Sequence, residues 1–146
     1  MQVREIMSSD PVCVTPDTPV EEAARLMKEK DIGLIPVVES KDSGRLAGVI
    51  TDRDIAIRHV AAGSKAKRPV REVMTSNITT CTLDEDVNQV MEVMGREQVR
   101  RIPIVDERGS IVGVVAQADI VLQTPDGNKA GKTVGDISQP SNKHSQ

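Results

Sequence analysis

Gly48-Val49-Ile50-Thr51-Asp52-Arg53-Asp54 decides how the rest of the chain is read. An apolar run stops at Thr51 and passes at once into a helix beginning Asp52-Arg53-Asp54-Ile55. The chain makes the same turn at Gly113-Val114-Val115-Ala116-Gln117-Ala118-Asp119-Ile120. The start of a helix exposes unpaired N–H groups and partial positive charge. Two such starts are two potential seats for an anion.

Outward from these turns the whole chain proves to be a repeat. Val3-Arg4-Glu5-Ile6-Met7-Ser8-Ser9 returns as Val70-Arg71-Glu72-Val73-Met74-Thr75-Ser76, and Ile35-Pro36-Val37-Val38 returns as Ile102-Pro103-Ile104-Val105. A longer first hairpin then shifts the register, so that Asp54-Ile55 matches Asp119-Ile120. Each copy predicts a lead-in, a short strand (Val12-Cys13-Val14 or Thr80-Cys81-Thr82), a helix, a hairpin and a second helix.

In the first helix Thr18, Pro19 and Glu21 form a capping-box pattern with proline at the first helical position. Val20, Ala23, Ala24 and Met27 share one face, as do Val87, Val90, Met91 and Met94 in the second copy. These are core positions. Strands Leu34 to Val38 and Arg45 to Ile50 flank the polar turn Ser40 to Gly44, with Asp106 to Gly109 as its equivalent. The strand–helix–strand step requires a parallel, right-handed crossover.

The expected fold class is therefore α/β (α+β), two β-α-β-β-α repeats, each a three-stranded sheet with two helices on one face. So small a unit cannot hide its apolar surface alone. The two copies are expected to pack face to face with pseudo-two-fold symmetry. The division is residues 1–62 for the first repeat, 63–69 for a linker, 70–122 for the second repeat and 123–146 for a polar tail. Lys65, Lys67 and Arg68 read as a solvated linker or as a contact for phosphate. The tail has a disordered composition, although Thr133 to Ser138 echoes the lead-ins and suggests docking.

The bulk numbers narrow the function. With 146 residues, 38% hydrophobic and 28% charged, the composition is that of a soluble globular protein. No apolar run spans a bilayer and Met1 to Glu5 is no signal sequence, so a cytoplasmic protein without a membrane role is expected. A net charge of −3 and the absence of Phe, Tyr and Trp speak against nucleic-acid binding. A ligand ring would have to lie between aliphatic side chains. Cys13 and Cys81 lie far apart with no ligand spacing, and His59 and His144 make no metal site by themselves. No nucleophile–base pair and no phosphate-loop motif is present, so no enzyme is expected.

Pro36 and Pro103 interrupt apolar strands, which places them at edges or bulges. They either blunt an edge against aggregation or leave backbone groups open to a planar ligand such as adenine. Asp54 sits in a Thr51-x-x-Asp54 pattern that caps a helix, or it accepts from both hydroxyls of a ribose. Asp119 keeps the acid although Ala116 cannot cap. Arg100 and Arg101 precede the second proline strand, where the first copy has Gly33 and Leu34. They are either solvent-exposed or reach phosphates held near the opposite copy.

Ile32-Gly33-Leu34-Ile35-Pro36-Val37-Val38 followed by Gly48 to Asp54, and Val99 to Val105 followed by Gly113 to Asp119, resemble the cystathionine-β-synthase (CBS) domain. The resemblance covers residues 1 to 122, and the chain is similar to the stand-alone bacterial CBS pairs called Bateman modules. It implies two clefts between the repeats, a disc-like homodimer joined through helices, and adenosyl ligands: AMP, ADP, ATP or S-adenosylmethionine. It implies ribose contacts at Asp54, with Thr51, and at Asp119. It implies adenine contacts through the backbone of Val14, Ile35, Pro36, Thr82, Ile102 and Pro103. Ala116 stands where the family prefers Thr or Ser, which weakens phosphate binding in the second cleft. The expected function is a regulatory sensor of an adenosyl ligand that signals through dimer geometry to an effector protein. The alternative is a ligand-free oligomerisation or interaction scaffold.

Overall fold

Residues 1–64 and 66–123 are described by a computed structural model of the chain. The tail beyond 123, with its Thr133–Ser138 echo, and Lys65 lie outside the described residues. Among these residues there are six strands and four helices: β1 (Ser8–Ser9), α1 (Val20–Lys30), β2 (Leu34–Val38), β3 (Leu46–Thr51), α2 (Asp52–Asp54), β4 (Cys81–Thr82), α3 (Val87–Glu97), β5 (Arg101–Val105), β6 (Ile111–Ala116) and α4 (Gln117–Gln123). The expected strand Val12–Val14 is reduced to a single bridge from Val14 to Val37, and β1 falls in the lead-in instead. α2 runs on as a π-helical segment, Ile55–Val60. Short 3-10 turns, Val3–Glu5 and Val70–Glu72, form the two lead-ins.

Local sequence explains most boundaries. α1 and α3 bury Val20, Ala23 and Met27, and Val87, Val90, Met91 and Met94, the faces the spacing marks out. Each helix ends on a left-handed residue, Asp31 at φ 55° and Gln98 at φ 59°. The α1 cap differs from expectation. Pro19 is its N-cap and no side chain caps it. The Thr18 hydroxyl instead accepts from the Thr15 N–H at 3.1 Å, because proline moves the helix start one residue on. α3 has the capping box: Asp86 accepts from Asn88 N–H, and Gln89 accepts from Asp86 N–H at 3.2 Å.

The chain forms two compact units that cut across the repeats. The first-repeat unit is Pro11–Ile78 with Arg108–Ile111. The second-repeat unit is Met1–Asp10 and Thr79–Glu107 with the chain from Val112 onward. The lead-ins are thus exchanged. Val3 and Ile6 join the core of Cys81, Val90, Met94, Ile102, Ile104, Val115 and Ile120. Val70 and Val73 join the core of Val14, Val20, Ala23, Ile35, Val37 and Ile50.

This exchange corrects the three-stranded sheet. In the second-repeat unit the sheet has four strands in the order β1-β6-β5-β4, with β1 supplied by the lead-in. β4 runs parallel to β5 and β1 antiparallel to β6. The first-repeat unit follows the same plan with shorter outer pairings. β2 and β3 form an antiparallel hairpin, Val14 bridges Val37 in parallel and Thr75 bridges Val49 antiparallel. Arg68 is not a free linker cation. Its guanidinium donates to the Arg58 carbonyl at 2.7 Å, and its carbonyl accepts from Val20 N–H at 2.9 Å.

Candidate functional site

Pro36 lies in the two-stranded β2–β3 sheet, next to a register shift between Val37 and Val38, as expected of an edge or bulge, whereas Pro103, contrary to its expected edge placement, lies on β5, an interior strand of its sheet. β5 is flanked by β6 and β4, and β2 by β3 and Val14. The backbone directions show why this is tolerated. Pro36 C=O accepts from Val14 N–H at 3.1 Å, and Val38 N–H donates to Val14 C=O at 2.9 Å. A strand residue points its N–H and C=O to the same side. The N–H that proline lacks would have extended the parallel ladder, so the ladder stops there. Pairing of β4 likewise begins at Cys81 opposite Ile104, one residue past Pro103.

The same alternation reassigns the backbone groups. Val49 exchanges both its hydrogen bonds with Thr75, so the pair Pro36 and Val49 is not bonded across the hairpin. Ile35 therefore directs its groups to Ile50, and Leu34 directs its own to the side where the parallel ladder has stopped. Asp52 N–H donates to Gly33 C=O at 3.0 Å, and Gln117 N–H to Arg100 C=O at 2.7 Å, so the second copy keeps the parity. The backbone groups of Leu34 and Arg101 thus face the side left open by the ladder, and those of Ile35 and Ile102 face the hairpin partner. The Ile35 and Ile102 side chains are wholly buried, and Val14 is buried too.

Thr51 and Asp54 are the two buried polar residues among those described. Asp54 N–H donates to Thr51 Oγ1 at 3.0 Å, and Thr51 N–H donates to Asp54 Oδ2 at 3.0 Å. The Thr75 hydroxyl lies 3.1 Å from Oδ1 and 3.3 Å from Oδ2 of the same carboxylate. Arg58 Nε stands 4.0 Å from Oδ1. A buried carboxylate needs such partners. The capping alternative thus describes Asp54 as it stands.

Asp119 is different. It is half-buried, and its carboxylate makes no hydrogen bond or ion pair among the described residues. Every partner of Asp54 is changed in the second copy: Ala116 for Thr51, Gln123 for Arg58, and Ser8 for Thr75. The backbone bond from Gln117 to Arg100 ties the start of α4 to the start of β5. The backbone of Arg100 and Arg101 therefore lies next to the helix start that carries Asp119, in the same repeat. Arg100 is exposed, Arg101 half-buried, and neither guanidinium has a partner among the described residues. An unpaired acid and two unpaired guanidiniums of one unit can take hydroxyl donors and an anion.

Thr82 is exposed at the end of β4. Its hydroxyl donates to Asp84 at 2.8 Å, which holds that carboxyl below its usual range, and its N–H donates to Glu85 at 3.3 Å. Burial, and then the Glu85 carboxylate, push the neighbouring Cys81 thiol up to about 12. Cys13 is also a free thiol, half-buried. Among the described residues no three His, Cys, Asp or Glu side chains are placed to hold a metal ion. Thr75, Arg58 and Leu34 escaped the sequence reading. The changes between copies of Arg58 to Gln123 and of Thr75 to Ser8 are the signals that pointed to two of them.

Two copies of a proline-interrupted hairpin, each followed by an acid in the first helical turn, define a CBS domain pair. The CBS domain family description matches residues 3–59 and 70–123, and the chain belongs to that family. It is 37% identical over 136 residues to the CBS domain-containing protein YhcV of Bacillus subtilis (strain 168), spanning 93% of this chain and 94% of that protein. The structure is similar to that of Hypoxic Response Protein I with two coordinated zinc ions, at a TM-score of 0.76 and 33% identity over 86% of this chain and 100% of that one. It is also similar to the CBS domain pair of protein MJ0100 in complex with 5′-methylthioadenosine and S-adenosyl-L-methionine. There the TM-score is 0.73 and the identity 31%, over 84% of this chain and 94% of that one.

Proposed function

We propose that the chain is a regulatory module, not a catalyst, and that it binds an adenosyl compound at the Asp119 site. The observation that carries this reading is the half-buried Asp119 carboxylate, without a partner among the described residues, at the helix start that is bonded to Arg100. Ribose hydroxyls donate to Asp119, which has lone pairs for both. Adenine lies against the open side of β5 at Arg101 and Pro103. The guanidiniums take phosphate, so AMP, ADP or ATP suits the site better than S-adenosylmethionine, whose sulfonium is cationic. The similarity to a CBS pair complexed with two adenosyl compounds supports the ligand class. Binding shifts the population of conformations by as much as its affinities for them differ, and an effector protein reads that shift.

The missing aromatic residues make the test simple. An adenine carried through purification dominates the ultraviolet spectrum of a chain with no Tyr or Trp. Calorimetric titration with AMP, ATP and S-adenosylmethionine then gives heat for the native chain and none for Asp119→Ala. No heat with any of the three overturns the reading. A ligand-free scaffold is the second reading, favoured by the internally satisfied Asp54. It predicts a melting temperature that ignores nucleotides and rises with protein concentration.

The reading includes a homodimer working in the cytoplasm. Ile57 (48% exposed) and its counterpart Leu122 (82% exposed) are apolar side chains on the second helices, and a second copy covers them. Cys13 and Cys81 are both free thiols, which suits a reducing compartment. No helix among the described residues is long and apolar enough to cross a membrane. Ile57→Glu with Leu122→Glu is expected to sediment as a monomer where the native chain sediments as a dimer.

A further inference from the structure

We infer that Thr75 locks the first repeat's acid away from ligand, so that the chain takes up one adenosyl ligand, at Asp119, and not two. This rests on the Asp119 reading above and adds how the other acid is kept out of use.

The lock is built from three sides within the first-repeat unit. Thr51 holds Asp54 from its own turn through two hydrogen bonds of 3.0 Å. Thr75 reaches the same carboxylate from the lead-in, with its hydroxyl 3.1 Å from Oδ1. Arg58 closes the third side at 4.0 Å, and its guanidinium also donates to the carbonyls of Val73 (3.2 Å) and Met74 (3.0 Å). Arg58 thereby clamps the segment that delivers Thr75.

The position of Thr75 is itself fixed. Its N–H and C=O exchange bonds of 2.8 and 2.9 Å with Val49 on β3. Gly48 allows that close approach, since a Cβ there would stand 2.5 Å from the Thr75 carbonyl oxygen. Asp54 is left 5% exposed. The Thr75 hydroxyl occupies the Asp54 carboxylate that a ribose hydroxyl would otherwise meet. In the second-repeat unit Ser8 faces Val114 as Thr75 faces Val49, yet Ser8 makes no bond to Asp119. Without a threonine at 116 or an arginine at 123, nothing draws the second carboxylate inward. Thr75 is thus a positioning residue acting through Asp54.

The test counts ligand per chain by calorimetry on the full chain, with AMP, ATP and S-adenosylmethionine as probes. The native chain is expected to take up one equivalent of its best probe. Asp119→Asn, a change at an unpaired side chain, is expected to weaken that binding at least roughly tenfold and reveal no other site. Thr75→Ala is expected to add a second equivalent, which Asp54→Asn in the same chain removes. Thr75→Ser, which keeps the donor, is expected to stay at one. Two equivalents in the native chain, or a single equivalent in Thr75→Ala, overturns the lock and leaves the Asp119 reading standing; binding in Asp119→Asn as tight as in the native chain overturns the Asp119 reading. No uptake of any probe by the native chain overturns both.

Discussion

At the scale of the residue, the two aspartates of one repeated motif do different work. Asp54 accepts from a backbone N–H and a hydroxyl while buried. Asp54→Asn is therefore expected to destabilise the fold by about 1–3 kcal/mol. Asp119→Asn is expected to stay within about 0.5 kcal/mol of the native chain. Urea denaturation of both variants checks the split, and equal losses would contradict it. Cys81 makes a pH-dependent prediction. The fold raises its thiol from 9.0 to about 12, so between those values the folded chain holds a proton that the unfolded chain releases. Stability from this group is complete below pH 9.0 and declines as pH rises toward about 12. Cys81→Ala is expected to flatten that alkaline decline in thermal melts.

At the scale of the element, glycine decides how closely a lead-in strand can lie on the hairpin. A Cβ at Gly48 would meet backbone, the Thr75 carbonyl oxygen at 2.5 Å and Ser76 Cα at 3.3 Å. A Cβ at Gly113 would meet the Met7 sulfur at 2.5 Å, the end of a flexible side chain, and Ser8 O at 3.0 Å. Gly48→Ala is expected to destabilise by about 2–3 kcal/mol and Gly113→Ala by about 1 kcal/mol. Equal losses would show that both strands give way alike. The hairpin strands and the helical faces were legible in the sequence because each follows from neighbours a few residues apart, and the parallel crossover because strand–helix–strand connections take that form. The site was legible only in part. Its acids and prolines stand in recognisable patterns, but which acid is free depends on Thr75 and Arg58, 21 and 4 residues from Asp54. A capping box predicts the Thr51 bonds and is silent on a hydroxyl arriving from another segment.

At the scale of the whole molecule, the exchanged lead-ins were hidden for a physical reason. Val3 and Val70 occupy near-identical stretches, so no local pattern can say which core each enters. Both are wholly buried. Deleting residues 2–9 is therefore expected to damage the second-repeat unit, which loses Val3, Ile6 and β1, and to spare the first. Hydrogen exchange checks this: protection falls in α3 and β5 and persists in β2 and β3. Loss of protection in β2 and β3 alike would show that the units do not stand separately.

The exchange also sets an order of events during synthesis. A domain folds once its last segment has left the ribosome. The first-repeat unit has its own lead-in, Val70 to Ile78, soon after its hairpin emerges, and lacks only the short Arg108–Ile111 stretch. Met1–Asp10 has no resting place until Thr79–Glu107 and β6 have been translated. Val3 and Ile6 thus stay uncovered while all of Pro11–Ile78 is being made.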